Sequence, residues 1–189
     1  MPSVVKFLFA SAVVFSFSAC SLLGGRQLPM PTVETVDLER FMGDWYVIAN
    51  IPTYFEKGAH NAIESYALLE NGQIQTTFTF RADTFDGKKK SFRPKAFVKD
   101  DPSNALWGMQ FVWPFKADYR IVYLNDDYSQ VIIGRQKRDY VWIMSRTPSI
   151  NEKDFQELVN QVVSLGYQRK DLVRVPQKWS DEPLEIQPD

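Results

Sequence analysis

The sequence of 189 residues is poor in the side chains that build nucleophilic and metal-binding sites, because it has one cysteine and one histidine. A single cysteine cannot form an intrachain disulfide, and Cys/His metal sites or Ser-His and Cys-His catalytic pairs are hard to assemble from so few residues. His60 precedes Asn61 in a predicted loop and is interpreted as an exposed loop residue. The sequence therefore predicts no catalytic histidine or cysteine, no metal site and no cofactor.

The chain also lacks an excess of charge of one sign. Its 22 basic and 23 acidic side chains leave a net charge of −1. This balance gives no basic footprint for nucleic acid, so no nucleic-acid partner is predicted. A short basic run, Lys88 to Lys90, is interpreted as a solvated hairpin tip, with contact to a membrane surface as the alternative.

No apolar run near the N-terminus is long enough to span a membrane, but residues 7–17 have the length of a signal-peptide core. This run ends in Phe-Ser-Ala-Cys at residues 17–20, which resembles a bacterial lipobox. The resemblance implies that Cys20 becomes the first residue of the mature protein and carries acyl chains. Ser21 then implies sorting to the outer membrane, on its periplasmic face. We predict a signal peptide over residues 1–19 and a lipidated tether over residues 20–34.

Aromatic and β-branched residues are abundant and alternate with polar ones from residue 43 to about residue 146. Turn signals at short intervals divide this region into eight predicted strands. One helix follows, with Ser149 and Asn151 as candidate N-caps and Gly166 at its end. Because one helix cannot cover both faces of an open sheet, the fold class is all-β, an eight-stranded antiparallel barrel with a C-terminal α-helix outside. The domain is predicted over residues 35–176, followed by a loose tail over residues 177–189.

Three short motifs occur in order along this region. The first motif is Gly-Asp-Trp-Tyr at residues 43–46, which follows Asp-Leu-Glu-Arg-Phe at residues 37–41. The second is Glu-Lys-Gly at residues 56–58. The third, at residues 138–148, is Arg-Asp-Tyr-Val-Trp-Ile-Met-Ser-Arg-Thr-Pro. With these motifs the sequence resembles the lipocalins, and among them the bacterial outer-membrane lipoproteins of the Blc type and apolipoprotein D. A further family motif is degenerate here, as Asn-Asp-Asp-Tyr at residues 125–128.

The resemblance implies an up-and-down barrel with one closed and one open end. Gly43, Trp45 and Arg146 are then structural signature residues, with Arg146 lying across the ring of Trp45 at the closed end. The implied function is the binding of a small apolar molecule inside the barrel, a fatty acid or lysophospholipid in the bacterial group. Transport, storage or envelope maintenance would follow from such binding.

Strand alternation, with Trp45 and Arg146 marking the interior, predicts which side chains line the cavity. An eight-stranded barrel is wide enough for one small ligand. A completely filled core, in a purely structural envelope lipoprotein, is the alternative interpretation of the same pattern. The predicted ligand-binding residues are Glu64, Tyr66, Phe78, Phe80, Phe111, Ile121, Tyr123, Val131, Ile133, Trp142 and Met144.

Glu64 is the charged member of this set. It shares strand parity with Tyr66, so its carboxyl group points into the barrel unless a bulge turns it to solvent. An inward carboxylate must be paired or protonated, because an isolated buried charge is costly. Glu64 and Tyr66 are also the candidates for a lipocalin-type isomerase, the third function considered. Nothing in the sequence decides between a monomer and a homodimer.

Overall fold

The computed structural model describes residues 28–179, so Cys20 and the predicted signal peptide lie outside the described residues. The strands are β1 Gly43–Ile51, β2 Ala59–Leu68, β3 Gln73–Ala82, β4 Lys89–Phe92, β5 Lys95–Val98, β6 Leu106–Val112, β7 Phe115–Leu124, β8 Gln130–Gly134, β9 Val141–Ser145 and β10 Val173–Arg174. The helices are α1 Leu38–Phe41 and α2 Glu152–Ser164, with 3₁₀ turns at Tyr54–Glu56 and Arg169–Asp171. Within residues 28–179, neither helix has the length and apolar composition needed to span a bilayer.

The strands form a closed antiparallel barrel, as the sequence predicted. Neighbours along the chain pair with each other, and β1 pairs with β9 to close the sheet. The predicted fourth strand is split into β4 and β5, which both pair with β3. Pro94 lies at the break, since proline has no N–H to donate to a neighbouring strand. The barrel therefore has eight strand positions, and β10 adds a short pairing to β1.

Helix α2 covers one side of the barrel. Its N-cap is Asn151, whose side chain accepts a hydrogen bond from the backbone N–H of Asp154. Its apolar stripe, including Leu158 and Val162, is buried against outward-facing barrel residues such as Ile132 and Ile143. This packing gives the molecule a second apolar core, outside the barrel, and confirms the predicted C-terminal helix.

The closed end is built around Trp45, which is fully buried. The guanidinium carbon of Arg146 lies 3.8 Å from the centre of the Trp45 ring system, and the Trp45 indole N–H donates to the Phe41 carbonyl at 2.9 Å. Gly43 has a φ of +92°, a conformation that disfavours a side chain, and a Cβ there would lie 3.4 Å from the Arg146 guanidinium. The positions of the three signature residues match what the resemblance implied.

The segments before and after the barrel are held on its outside. Residues 28–34, assigned from the sequence to the tether, pack on the barrel instead, because Met30 is buried and the Val33 N–H donates to the Ile121 carbonyl. The predicted loose tail is also ordered at its start. The Gln177 side chain donates to the Val47 carbonyl at 2.8 Å, and the Trp179 ring contacts Tyr46 edge-on. Neither sequence segment has an apolar period, so hydrogen bonding to the barrel was not visible in the sequence.

Candidate functional site

A cavity of about 580 Å³ opens at the end of the barrel opposite to Trp45. Its mouth is formed by the 3₁₀ turn Tyr54–Glu56, the break between β4 and β5, the β6–β7 hairpin and the loop between β8 and β9. Its walls are mostly apolar, and the interior side chains used below are Phe78, Phe92, Met109, Ala117 and Trp142. The site is thus a concave apolar pocket with few polar groups, as in typical small-molecule sites.

The cavity occupies only the open half of the barrel, because aromatic side chains fill the closed half. Trp107 is fully buried and stacks on Tyr119 with ring centroids 5.6 Å apart. Phe41 lies between Trp45 and Trp107, 5.1 Å and 5.3 Å from their rings. The filled core and the open cavity, which were alternatives at the level of the sequence, therefore both exist in one barrel.

Four of the predicted ligand-binding residues line this cavity, namely Glu64, Phe78, Phe111 and Trp142. Phe111 lies at the rim rather than in the interior, since 62% of its surface is exposed. The strand register between β6 and β7 shifts just beyond Met109, which carries Phe111 outward. Six others are buried in the interior core without lining the cavity, and these are Tyr66, Phe80, Ile121, Val131, Ile133 and Met144. Their roles in ligand binding stay predictions.

Tyr123 was predicted to face the cavity, and this prediction is wrong. Its side chain packs with the outer core beneath α2, where it lies beside Gln161. The cause is a β-bulge in β7, because Ile121 pairs with Ile133 while Tyr123 pairs with Ile132. One extra residue in a strand reverses the side of every following side chain.

Glu64 points into the barrel, so the alternative in which a bulge turns its side chain to solvent is wrong. It is 8% exposed, lies on β2 between Trp45 and Phe78 of the neighbouring strands, and lines the cavity. Burial raises the pKa of Glu64 to about 8, although a hydrogen bond with Tyr66 opposes this shift. Glu64 is therefore mostly protonated at neutral pH. The Tyr66 hydroxyl is also hydrogen-bonded to the Tyr119 hydroxyl, which completes a small polar cluster at the cavity floor.

Glu56 is a second carboxyl group in the cavity wall, half-buried, and the sequence analysis did not place it in the site. One of its oxygens, Oε2, accepts hydrogen bonds from Asn50 Nδ2 at 3.0 Å, Trp142 Nε1 at 3.1 Å and the Thr53 N–H at 3.3 Å. Burial raises the pKa of Glu56, and these hydrogen bonds oppose the shift. Glu56 thereby fixes the indole of Trp142 in the cavity wall. The only signal for it was its place in the Glu-Lys-Gly motif.

Arg135 provides positive charge at the cavity mouth. Its guanidinium contacts the Asp139 carboxylate at 3.3 Å and lies 5.3 Å from the centre of the Tyr140 ring. Its Nε is buried and has no hydrogen-bond partner among residues 28–179. The mouth thus carries a guanidinium group, while the cavity is also lined by the carboxyl groups of Glu56 and Glu64.

Comparison with known proteins relates the chain to one family. Residues 36–177 match the family model described as "Lipocalin-like domain". Temperature-induced lipocalin-1 of Arabidopsis thaliana is 32% identical over 166 residues, which cover 82% of this chain and 86% of that protein. Outer membrane lipoprotein Blc of Citrobacter freundii is 29% identical over 171 residues, covering 87% and 96%. Among solved structures, the cockroach allergen Per a 4 has a TM-score of 0.60 at 19% identity, covering 78% of this chain and 93% of the allergen.

Proposed function

The chain belongs to the lipocalin family, whose members bind small hydrophobic ligands, and on that premise we propose that it binds a fatty acid or a lysophospholipid in the open half of its barrel. The observation that carries the proposal is the apolar cavity of about 580 Å³, a volume within the range of roughly 300–1,000 Å³ usual for small-molecule sites. Burying an alkyl chain contributes about 0.8 kcal/mol per methylene, so ten buried methylenes support micromolar binding after ordering costs.

The charges around the cavity favour a ligand that enters with its apolar end first. The interior is unfavourable for a carboxylate or phosphate, because its walls are mostly apolar and a buried anion without a positive partner is costly. Arg135 lines the cavity at the mouth, where its guanidinium charge would attract a carboxylate or phosphate. The acyl chain then lies between Phe78, Met109 and Trp142, with the anionic headgroup at Arg135.

The same proposal includes a lipid anchor at Cys20 in the outer membrane. Support comes from the lipobox-like sequence and from the relatives in Citrobacter freundii and other bacteria, which are named outer membrane lipoproteins. A membrane-anchored binding protein would take up or deliver lipids within the envelope.

Binding without catalysis is part of the proposal. An isomerase would need a reactive acid–base pair open to the substrate, and Glu64 with Tyr66 was the candidate. Tyr66 does not line the cavity, and its hydroxyl is already engaged by Tyr119. The candidate pair of Glu64 and Tyr66 is therefore not open to a ligand as a pair.

Mass spectrometry of an organic extract of the purified protein tests this function. We expect a fatty acid or lysophospholipid in an amount comparable to the protein, and we expect the delipidated protein to rebind it. An extract without lipid, together with no rebinding, would contradict the proposal and favour a structural envelope lipoprotein.

A further inference from the structure

Six large apolar side chains are exposed around the cavity mouth, and we call this group the apolar rim. Their exposed fractions lie between 62% and 82%. Two segments on opposite sides of the mouth supply them, the 3₁₀ turn between β1 and β2 and the β6–β7 hairpin. The members of the apolar rim are Tyr54, Phe55, Phe111, Val112, Trp113 and Phe115. Exposed apolar clusters of this kind are uncommon on soluble proteins and mark contact sites.

The apolar rim is continuous with the cavity. Tyr54, Phe55, Phe111 and Val112 also line the cavity mouth, so one apolar surface runs from the barrel interior to the outside. An apolar molecule could move along this surface without meeting water if the rim were covered by lipid.

The two ends of the barrel differ in charge. Seven Asp and Glu but only three Lys and Arg occur in the closed-end loops, which are residues 37–42, 69–72, 99–105, 125–129 and 146–151. Nine Lys and Arg and four Asp and Glu occur in the open-end segments, which are residues 52–58, 83–90, 93–94, 113–116 and 135–140. The end that carries the apolar rim is therefore basic, and the opposite end is acidic.

Leu28, the first residue that the structure describes, lies at the basic end. The Leu28 carbonyl accepts hydrogen bonds from the side chains of Gln136 and Arg138, in the loop between β8 and β9 that borders the cavity. From Cys20 to Leu28 the chain can span at most roughly 28 Å. A lipid anchor at Cys20 would therefore keep this end of the barrel close to the bilayer.

From these three observations we propose that the apolar rim inserts into the surface of an anionic phospholipid bilayer, so that the cavity opens directly onto lipid. Tyr and Trp side chains are favoured at the membrane interface, where an apolar ring with a polar edge is partly hydrated. Lys88 to Lys90 and Lys116 then lie beside anionic headgroups, which attract basic side chains over about one Debye length. The contact goes beyond the proposed lipid binding, because it does not depend on which ligand the cavity holds.

Fluorescence quenching by brominated lipids tests this contact. The purified protein is placed on vesicles of phosphatidylcholine and phosphatidylglycerol whose acyl chains carry bromine close to the headgroup. Trp113 is 82% exposed in the rim, whereas Trp45 and Trp107 are fully buried. We expect strong quenching in the wild-type protein and the loss of most of it in Trp113→Phe.

The rim itself is tested by the double variant Phe55→Ser/Phe115→Ser. We expect the quenching of Trp113 to fall more than twofold, because each lost phenyl group weakens insertion by about tenfold. The matched control is Leu68→Ser/Val163→Ser, which removes exposed apolar side chains at the closed end and on α2 and should leave the quenching unchanged. Thermal unfolding of both variants should match wild type, since all four side chains are exposed.

Two results would overturn the proposal. One is quenching that is absent in wild type or persists in the double variant. The other is a dimer in light scattering that the rim substitutions dissociate, without any quenching on vesicles, since that would assign the rim to a second copy of the chain. Titration with a fatty acid in the absence of vesicles tests the proposed lipid binding separately.

Discussion

At the scale of single residues, Arg146 shows how one side chain closes the end of the barrel. Its guanidinium donates to the carbonyls of Asp44, Arg40 and Phe41 at 2.8, 2.9 and 3.0 Å while it covers the ring of Trp45. Removal of the Arg146 side chain would take away a hydrogen-bond donor of these carbonyls and expose the Trp45 indole. The role of Arg146 could be foreseen from the family motif, but its carbonyl partners could not.

Arg146→Ala should lower the free energy of unfolding by about 1–3 kcal/mol, through lost packing and lost hydrogen bonds. Urea denaturation measures this change. Arg174→Ala is a matched control, because Arg174 also lies over an aromatic ring, that of Phe155 at 3.7 Å, but on an exposed surface. We expect a clearly smaller change in the control, and equal midpoints for Arg146→Ala and wild type would contradict the structural role.

Glu64 makes the stability depend on pH. Its pKa is raised to about 8 in the folded protein by burial, whereas the unfolded chain has an ordinary glutamate. Between about pH 4.5 and pH 8 the folded state therefore binds more protons than the unfolded state at this site. It follows that the free energy of unfolding falls as pH rises through this window.

Glu64→Gln should remove this part of the pH dependence, because glutamine has the shape of the protonated acid and does not ionise. Measured against wild type, the variant should gain relative stability steadily from pH 5 to pH 8. Glu56, whose pKa is also raised, remains in both proteins. Parallel stability curves for the two proteins would show that Glu64 is not shifted.

At the scale of the elements, alternation predicted the strands well and failed where a strand is irregular. The inward faces of Phe78 on β3 and of Trp142 on β9 followed from their parity. Tyr123 did not, because the bulge in β7 adds one residue and turns the following side chains over. A bulge depends on pairing with the neighbouring strand, so a single strand's alternation does not reveal it. Pro94 was different, since proline marks the break between β4 and β5 in the sequence itself.

Helix α2 offers a direct test at this scale, since the sequence left two candidate N-caps. The structure assigns the cap to Asn151, whose side chain accepts from the Asp154 N–H at 2.9 Å. Asn151→Ala should therefore lower stability by about 1 kcal/mol, and Ser149→Ala should change it by much less. Thermal unfolding of the pair measures the difference. A larger effect of Ser149→Ala would place the helix start earlier.

At the scale of the whole molecule, the sequence predicted the fold and the family, whereas the structure was needed for the cavity. The fold class and the family could be predicted because the motifs are local and occur in a fixed order. The size of the cavity could not, because it depends on how far Trp107, Tyr119 and Phe41 fill the barrel from the closed end. The apolar rim was also missed, since Phe111 and Trp113 alternate as if they faced inward.

The proposed lipidation at Cys20 belongs to this scale because it would decide where the molecule works. Radiolabelled palmitate should enter the wild-type protein, and Cys20→Ala should abolish the label and release the protein from the membrane fraction. Ser21→Ala keeps the cysteine and should keep the label. Wild-type protein that takes up no palmitate would contradict the proposed anchor without affecting the barrel.

The central claim is that the cavity holds an acyl chain, and a titration with fatty acids of increasing length tests it most directly. Trp142 lines the cavity, so its fluorescence should change saturably on binding. We expect the affinity to rise with chain length until the cavity is full and then to level off. Ala117→Phe, which fills part of the cavity from β7, should move this plateau to shorter chains, while Ala117→Ser should leave its position unchanged. An affinity independent of chain length, or the same plateau in Ala117→Phe as in wild type, would contradict the claim.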